Sequence, residues 1–440
     1  MEARFEQHFQ AAGFAALTAI QSGVMAPLSA GDSVLGIAPT GSGKTLAFTW
    51  PLLPRVTPNA GLQLLVLEPS QELAMQTTKV MREWAQLLGL KVQSLTGGAN
   101  LKRQVERYKK TKPEVVVGTP GRILHLLDER NLNMSTVKML VVDEADDLLA
   151  DDTQAVVEDI ERTTPLDTQL AFFSATKGKV FDQLSDMFGR HIETIDVRAQ
   201  DHSQGEVKHG LVVARTMSQK AAMLERLSKT KNFRALVFFT SIKTLHYTAS
   251  RLKHAGVSSA TLGGKQRQTE REAVMRGFRK HQIKLLLTTD VAARGLDIPK
   301  LPAVVNFELP TTANLYIHRV GRTGRQGEPG LVINLGDDHD FRDLKRLLAK
   351  TEYDLVPMAI AERELMDAAA AKAVNAKRQA EPTTAPAPAA TPEAGRVKTA
   401  AKRVLTKAKK KVRKKQRKNK GIRLKHRRKA EAAAKKTATK

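Results

Sequence analysis

Cysteine is absent from all 440 residues, which excludes a disulfide framework and any thiolate-held zinc or iron–sulfur centre. Aromatic residues are sparse, and none of Phe, Trp or Tyr occurs in 396–440. That stretch therefore has no aromatic side chain to stack on nucleic-acid bases. No apolar run nears the ~20 residues that a membrane-spanning helix needs. The opening "MEARFEQHFQ" is mixed in charge, unlike a secretory leader. These absences predict a soluble cytoplasmic protein with no membrane partner.

Acidic residues are scarce in one region only. Residues 372–440 hold 25 of the 72 lysines and arginines beside three glutamates, a net of +22, while 1–371 nets +5. A basic tail on a nearly balanced body points to a polyanion, and RNA or DNA is the commonest in cytoplasm. An anionic membrane surface is the weaker reading, because the tail lacks regularly spaced apolar anchors.

Apolar strand candidates alternate with amphipathic helical stretches through 1–350. The clearest in the first half are Val34–Ala38, Gln63–Leu67, Val115–Gly118, Lys138–Val142 and Leu170–Ser174. The polar segment "RAQDHSQGEVKH" (198–209) reads as a linker. Beyond it follow Gly210–Ala214, Ala235–Phe239, Lys284–Thr288, Ala303–Phe307 and Gly330–Leu335. Such alternation predicts an α/β chain of two parallel-sheet domains with a cleft between them. The boundaries are read as 1–203 and 204–356, then an Ala-rich helix over 357–380, then a Pro/Ala linker and disordered basic tail over 381–440.

The strongest local signal is "APTGSGKT" (38–45), directly after the strand "VLGIA". Strand, glycine loop and helix in that order make a phosphate cradle. Gly41 and Gly43 free backbone N–H groups, Lys44 reaches the β/γ-phosphates, and the Thr45 hydroxyl serves Mg²⁺. A second signal is "MLVVDEADDLL" (139–149), a buried strand ending in four carboxylates within five residues. Taken alone, this is either a helix first turn, where carboxylates suit the macrodipole, or a cation site. The phosphate loop favours the second reading: Asp143 for Mg²⁺ and Glu144 for the attacking water. Positive charge for the transferred phosphoryl group is available in "YIHRVGRTGRQG" (316–327), where Arg319, Arg322 and Arg325 recur at three-residue steps.

On these motifs, taken in order over nearly all of 1–350, the chain resembles the DEAD-box ATP-dependent RNA helicases. The resemblance implies two tandem RecA-like domains that use ATP and Mg²⁺ and bind RNA. It implies an ATP site built from Phe14 (or Phe5), Gln21, Ala38, Pro39, Thr40, Gly41, Ser42, Gly43, Lys44, Thr45 and Asp297, with Gln21 on adenine and Asp297 on the ribose. Catalysis falls to Lys44, Glu144 and the arginine fingers Arg322 and Arg325. Coupling of ATP to RNA falls to Asp146, Ser174, Thr176, Arg294 and His318. RNA contacts fall to Pro69, Ser70 and Gln71, to Gly97 and Gly98, to Thr119, Pro120 and Arg122, and to Thr240, Arg271 and Thr288.

Several positions depart from the family pattern, among them Ser70 in place of threonine. Gln71 stands where the family has arginine, which removes a charge-assisted phosphate contact. Glu308 replaces the usual aspartate, and Leu17 the usual proline. The expected activity is local, sequence-tolerant opening of short RNA duplexes, in RNA remodelling, ribosome assembly or cold adaptation. Ribosomal RNA or the mRNA-decay machinery are the implied partners. The competing readings are an ATP-gated RNA clamp with little unwinding and a DNA helicase of the same superfamily.

Overall fold

The computed structural model describes residues 2–380 apart from 202–204, 264–265, 267, 294–297, 299 and 326. The expected linker and tail, 381–440, lie outside the described residues, as do Arg294 and Asp297. The chain as far as Ala380 forms one compact unit.

Seven strands make the first sheet: β1 (Val34–Ile37), β2 (Leu64–Leu67), β3 (Val92–Leu95), β4 (Val115–Gly118), β5 (Met139–Val142), β6 (Gln169–Ser174) and β7 (Glu193–Asp196). Eight make the second: β8 (Val207–Val213), β9 (Ala235–Phe239), β10 (Ser259–Leu262), β11 (Leu285–Thr289), β12 (Ala303–Asn306), β13 (Gly330–Gly336), β14 (Leu355–Ala361) and β15 (Glu364–Asp367). The first runs β3-β4-β2-β5-β6-β1-β7 and the second β10-β11-β9-β12-β13-β8-β14-β15. Six strands of each sheet therefore share one winding order. Every described pairing is parallel except that of β14 with β15.

Parallel crossovers cover both faces of a sheet with helices, so the strands must be apolar on both sides. Alternate residues accordingly enter opposite cores. Val34, Leu64, Val66 and Val141 pack on one face of the first sheet, and Leu35, Leu65, Leu140 and Val142 on the other. The second sheet divides in the same way, with Leu236 on one face and Val237 on the other.

The predicted helix over 357–380 begins only at Ala368. Before it, β14 and β15 form a hairpin turning at Glu362 and Arg363, both in the left-handed region (φ 49° and 62°). High alanine content favours a helix locally, but "LVPMAIA" completes the open edge of β8 instead. Four strands escaped the sequence reading besides β14. β3, β7, β10 and β15 are all outermost in their sheets, where partial exposure removes the continuous apolar run that marks a central strand.

Candidate active site

Strands β5, β6 and β1 are neighbours, so the loops at their C-terminal ends converge. This is the edge where open α/β sheets bind ligands. The loop after β1 carries "APTGSGKT". Gly41 and Gly43 adopt φ of 91° and 87°, conformations that a side chain resists. At Gly43 a Cβ would also meet the Gln21 amide at 2.4 Å. Lys44 opens the helix Lys44–Leu52, is buried, and donates to Ala38 O at 3.2 Å. Ser42 Oγ and Thr40 Oγ1 are buried without a protein partner among the described residues. The loop thus holds donors that the polypeptide does not satisfy.

Gln21 lies beside this loop. Its Oε1 accepts from Thr18 N at 2.9 Å and its Nε2 donates to Gly43 O at 3.3 Å. The capping box that Thr18 makes with Gln21 is complete although Leu17 precedes it in place of proline. Phe14 is 43% exposed, against Phe9 and Trp50 with ring centroids 5.2 and 6.3 Å away. Phe5, the alternative aromatic, is fully buried edge-on to Trp84 and belongs to the core.

After β5, Glu144 takes φ 47°, a strained value for a residue with a side chain. Its N–H donates to Asp143 Oδ1 at 2.9 Å. Burial, with Glu144 adding repulsion, pushes the Asp143 carboxyl up to about 7 despite the nearby Lys44. A third carboxylate, Glu68 at the end of neighbouring β2, escaped the sequence reading. It is fully buried, accepts from Thr77 Oγ1 at 2.5 Å, and is raised well above its ordinary range by burial and then by Asp143. Its signal was the strand pairing of β2 with β5, which a linear sequence does not display.

Asp146 behaves oppositely. Burial works against its ionisation, but hydrogen bonding and charge from His318, with a bond from Thr176, outweigh it and hold the carboxyl at about 2. Thr176 Oγ1 donates to Asp146 Oδ2 at 2.5 Å, and His318 Nε2 lies 2.9 Å from the same oxygen. His318 belongs to the helix Ala313–Val320 of the second sheet's half, so one carboxylate joins the loops after β5 and β6 to the other half. Ser174 makes no bond to the acids; its hydroxyl donates to Thr176 O at 2.8 Å and accepts from Thr176 N.

A cavity of about 660 Å³ lies between Lys44, Thr45, Asp143 and Glu144 on one wall and Arg322 and Arg325 on the other. Arg325 Nε donates to Gly321 O at 2.7 Å. Gly321 approaches the phosphate loop so closely that a Cβ there would meet Thr40 at 2.7 Å. Arg319, the third of the regularly spaced arginines, points elsewhere. Its guanidinium is 1% exposed, pairs with Asp290 at 2.6 Å, donates to Asn306 and Glu308 O, and stacks over Phe238. It still sits within the helix, whereas Arg322 and Arg325 follow its end.

The expected RNA residues divide into three groups. Gln71, Gly97 and Gly98 come together: a Cβ on Gly98 would lie 3.1 Å from the Gln71 amide. Arg122 joins them, donating to Gln104 Oε1 at 3.0 Å and Ala99 O at 3.3 Å. Pro69 precedes Ser70, which caps the helix Gln71–Ala85 by accepting from Leu73 N; Thr119 and Pro120 begin the helix Pro120–Asp128. The third group is engaged within the protein. Thr288 is fully buried and donates to Thr289 O. Arg271 pairs with Glu72 across the two halves at 2.6 Å. Thr240 spends its N–H and hydroxyl on Glu308, whose longer side chain reaches the start of the helix Ile242–His254.

Comparison with known proteins agrees with this geometry. Residues 18–195 match the DEAD/DEAH box helicase family and 219–327 the helicase conserved C-terminal domain. The chain is similar to the probable ATP-dependent RNA helicase YfmL of Bacillus subtilis, 36% identical over 351 residues, covering 80% of this chain and 93% of that protein. It is equally similar to the DEAD-box ATP-dependent RNA helicase CshC of Bacillus cereus, at 36% identity over 80% and 90% of the two chains. Among solved structures it resembles S. cerevisiae Dbp5 bound to RNA and ADP BeF3, with a TM-score of 0.73 and 29% identity over 81% and 94% of the chains.

Proposed function

The chain belongs to the DEAD/DEAH box helicase family, and we propose that it is an RNA-stimulated ATPase that opens short RNA duplexes locally. The observation that carries this is the Thr176–Asp146–His318 chain of hydrogen bonds. It ties the acidic strand tip to the half that supplies Arg322 and Arg325, so the two walls of the cavity can be assembled only together. In this reading Lys44 and the loop N–H groups hold the phosphates, with Ser42 and Thr40 as further donors. Glu144 orients and deprotonates the attacking water. Arg322 and Arg325 offset charge on the transferred group. Gln21 holds the adenine through its remaining amide hydrogen, and the exposed Phe14 is the aromatic that would stack on it.

The donor set fits Mg²⁺. Asp143 is a buried carboxyl pushed up to about 7 by burial and then by Glu144, crowding that a cation relieves, and Glu144 Oε2 is buried with no protein partner among the described residues. Asp143 and Thr45 would hold the ion, which offsets charge between the phosphates when bound. RNA is gripped along its backbone by the group around Gly97, Gly98 and Arg122, so binding tolerates any sequence. Reopening of the cleft after hydrolysis releases the strand.

The test is ATP hydrolysis with and without single-stranded RNA, alongside separation of a short RNA duplex. RNA should raise the hydrolysis rate and ATP should be required for separation. Prolonged ATP-dependent residence on RNA without strand separation would replace the helicase by a clamp, and stimulation by DNA equal to that by RNA would change the substrate.

A further inference from the structure

The helix Leu101–Thr111 leaves the Gly97–Gly98 turn and carries "LKRQVERYKKT". Leu101, Val105 and Tyr108 face the first sheet's core. Lys102, Arg103, Glu106, Arg107, Lys109 and Lys110 are exposed. At 100° per residue Arg103, Arg107 and Lys110 lie on the side opposite the apolar contacts, and Lys102 and Lys109 lie on one flank. The helix is about 16 Å long, at 1.5 Å per residue.

Helix stability does not account for all of these charges. Lys109 and Lys110 lie in the last turn, where cations suit the macrodipole. Lys102 and Arg103 lie in the first turn, which has no acidic residue, and there a cation opposes the dipole. Arg103 and Arg107 are like charges four residues apart, also unfavourable. Glu106 stands four residues from Lys102 and three from Arg103, yet among the described residues Lys102, Arg103 and Arg107 form no ion pair. Three cations are thus kept at a local cost, without an internal partner.

Their position is set by the candidate RNA residues. Gln104, on the same helix, donates to Thr96 O at 3.0 Å and accepts from Arg122 at 3.0 Å. Asn100 caps the first turn by accepting from Arg103 N. The helix is therefore pinned to both turns that the RNA reading uses, and its cations continue from them. We propose that Lys102, Arg103 and Arg107 form an additional RNA-backbone site, extending the strand's path from the Gly97–Gly98 turn along this helix. The inference rests on the RNA-helicase reading and adds a site to it. It also accounts for Gln71: the charge missing at the turn is present one helix away.

The test uses the full chain with Lys102, Arg103 and Arg107 all changed to Gln. RNA binding is followed by fluorescence anisotropy of an unstructured oligoribonucleotide at several salt concentrations, in parallel with RNA-stimulated ATPase. Neutralising three phosphate contacts should weaken RNA binding about tenfold and lower the slope of log affinity against log salt by about 2. The maximal ATPase rate should hold and the melting temperature should not fall. A control changes Lys231, Lys253 and Lys280, exposed cations of the second half, and should barely move the slope. Unchanged affinity and slope in the first variant, or an equal loss in the control, overturns the site. Anisotropy does not require hydrolysis, so helix-dependent binding by a chain without ATPase activity would keep this site and remove the proposed function.

Discussion

Arg271 and Glu72 meet at 2.6 Å, the guanidinium 14% and the carboxylate 24% exposed. Glu72 belongs to the helix Gln71–Ala85, directly beside Gln71, and Arg271 to the helix Gln268–Arg279 of the other half. The pair therefore forms only when the halves are together. Couplings between sites are typically about 1–3 kcal/mol. Arg271→Ala should make ATP-dependent tightening of RNA roughly tenfold weaker while leaving ATP affinity in the absence of RNA alone. The swapped double variant, Arg271→Glu with Glu72→Arg, should recover part of the loss. No recovery in RNA titrations at fixed ATP would leave Arg271 as a direct RNA ligand.

Glu144→Gln keeps the shape of the strand tip and removes the carboxylate proposed as the base. ATP binding should persist while hydrolysis falls roughly 10²–10⁴-fold. The variant should accumulate on RNA in the presence of ATP. Near-normal turnover in a steady-state assay would move the role of general base to another residue.

Arg322→Ala and Arg325→Ala should each lower kcat by about 10³-fold or more, as losing an arginine finger does, with RNA affinity little changed. A loss in RNA affinity alone at unaltered kcat would reassign both to RNA.

The contact of His318 with Asp146 has a pH window. Burial acts against the imidazolium, but the Asp146 hydrogen bond and the neighbouring carboxylates outweigh it and raise its pKa. A group raised on folding contributes fully below its ordinary value and loses that contribution as pH rises through the raised one. Asp146 is depressed to about 2, so its contribution is lost only as pH falls toward that value. The pair should weaken on the alkaline side. In a pH profile of RNA-stimulated ATPase, His318→Gln should be slower at neutral pH and lose the part of the alkaline decline that His318 causes. An identical alkaline limb in the variant would assign that limb to another group.

The tail is tested by removing 381–440. Its charge should supply affinity through counterion release, so the RNA concentration for half-maximal ATPase should rise and the salt dependence flatten. The maximal rate should change little, since every cavity residue remains. A collapsed maximal rate would make the tail part of the catalytic unit.

The sequence by itself determined the central strands, the phosphate loop and the acidic strand tip, because these depend on neighbours within a few residues. Continuous apolar runs specify strands buried on both faces, and glycine at 41 and 43 is what the left-handed backbone there requires. Edge strands and the β14–β15 hairpin were not legible, since half-exposed segments lose that pattern and β14 forms by completing β8. Tertiary structure alone decided the partners of the charges. By spacing the three arginines are alike and only the family resemblance singles out Arg322 and Arg325; in the fold the end of the Ala313–Val320 helix separates Arg319, sealed against Asp290 and Phe238, from the two that face the cavity. Glu68 joined the acidic site through the pairing of β2 with β5, and Arg271 found Glu72 on the opposite half. Charges act over distances in space, and residues far apart in the chain become neighbours only when the sheets and helices pack.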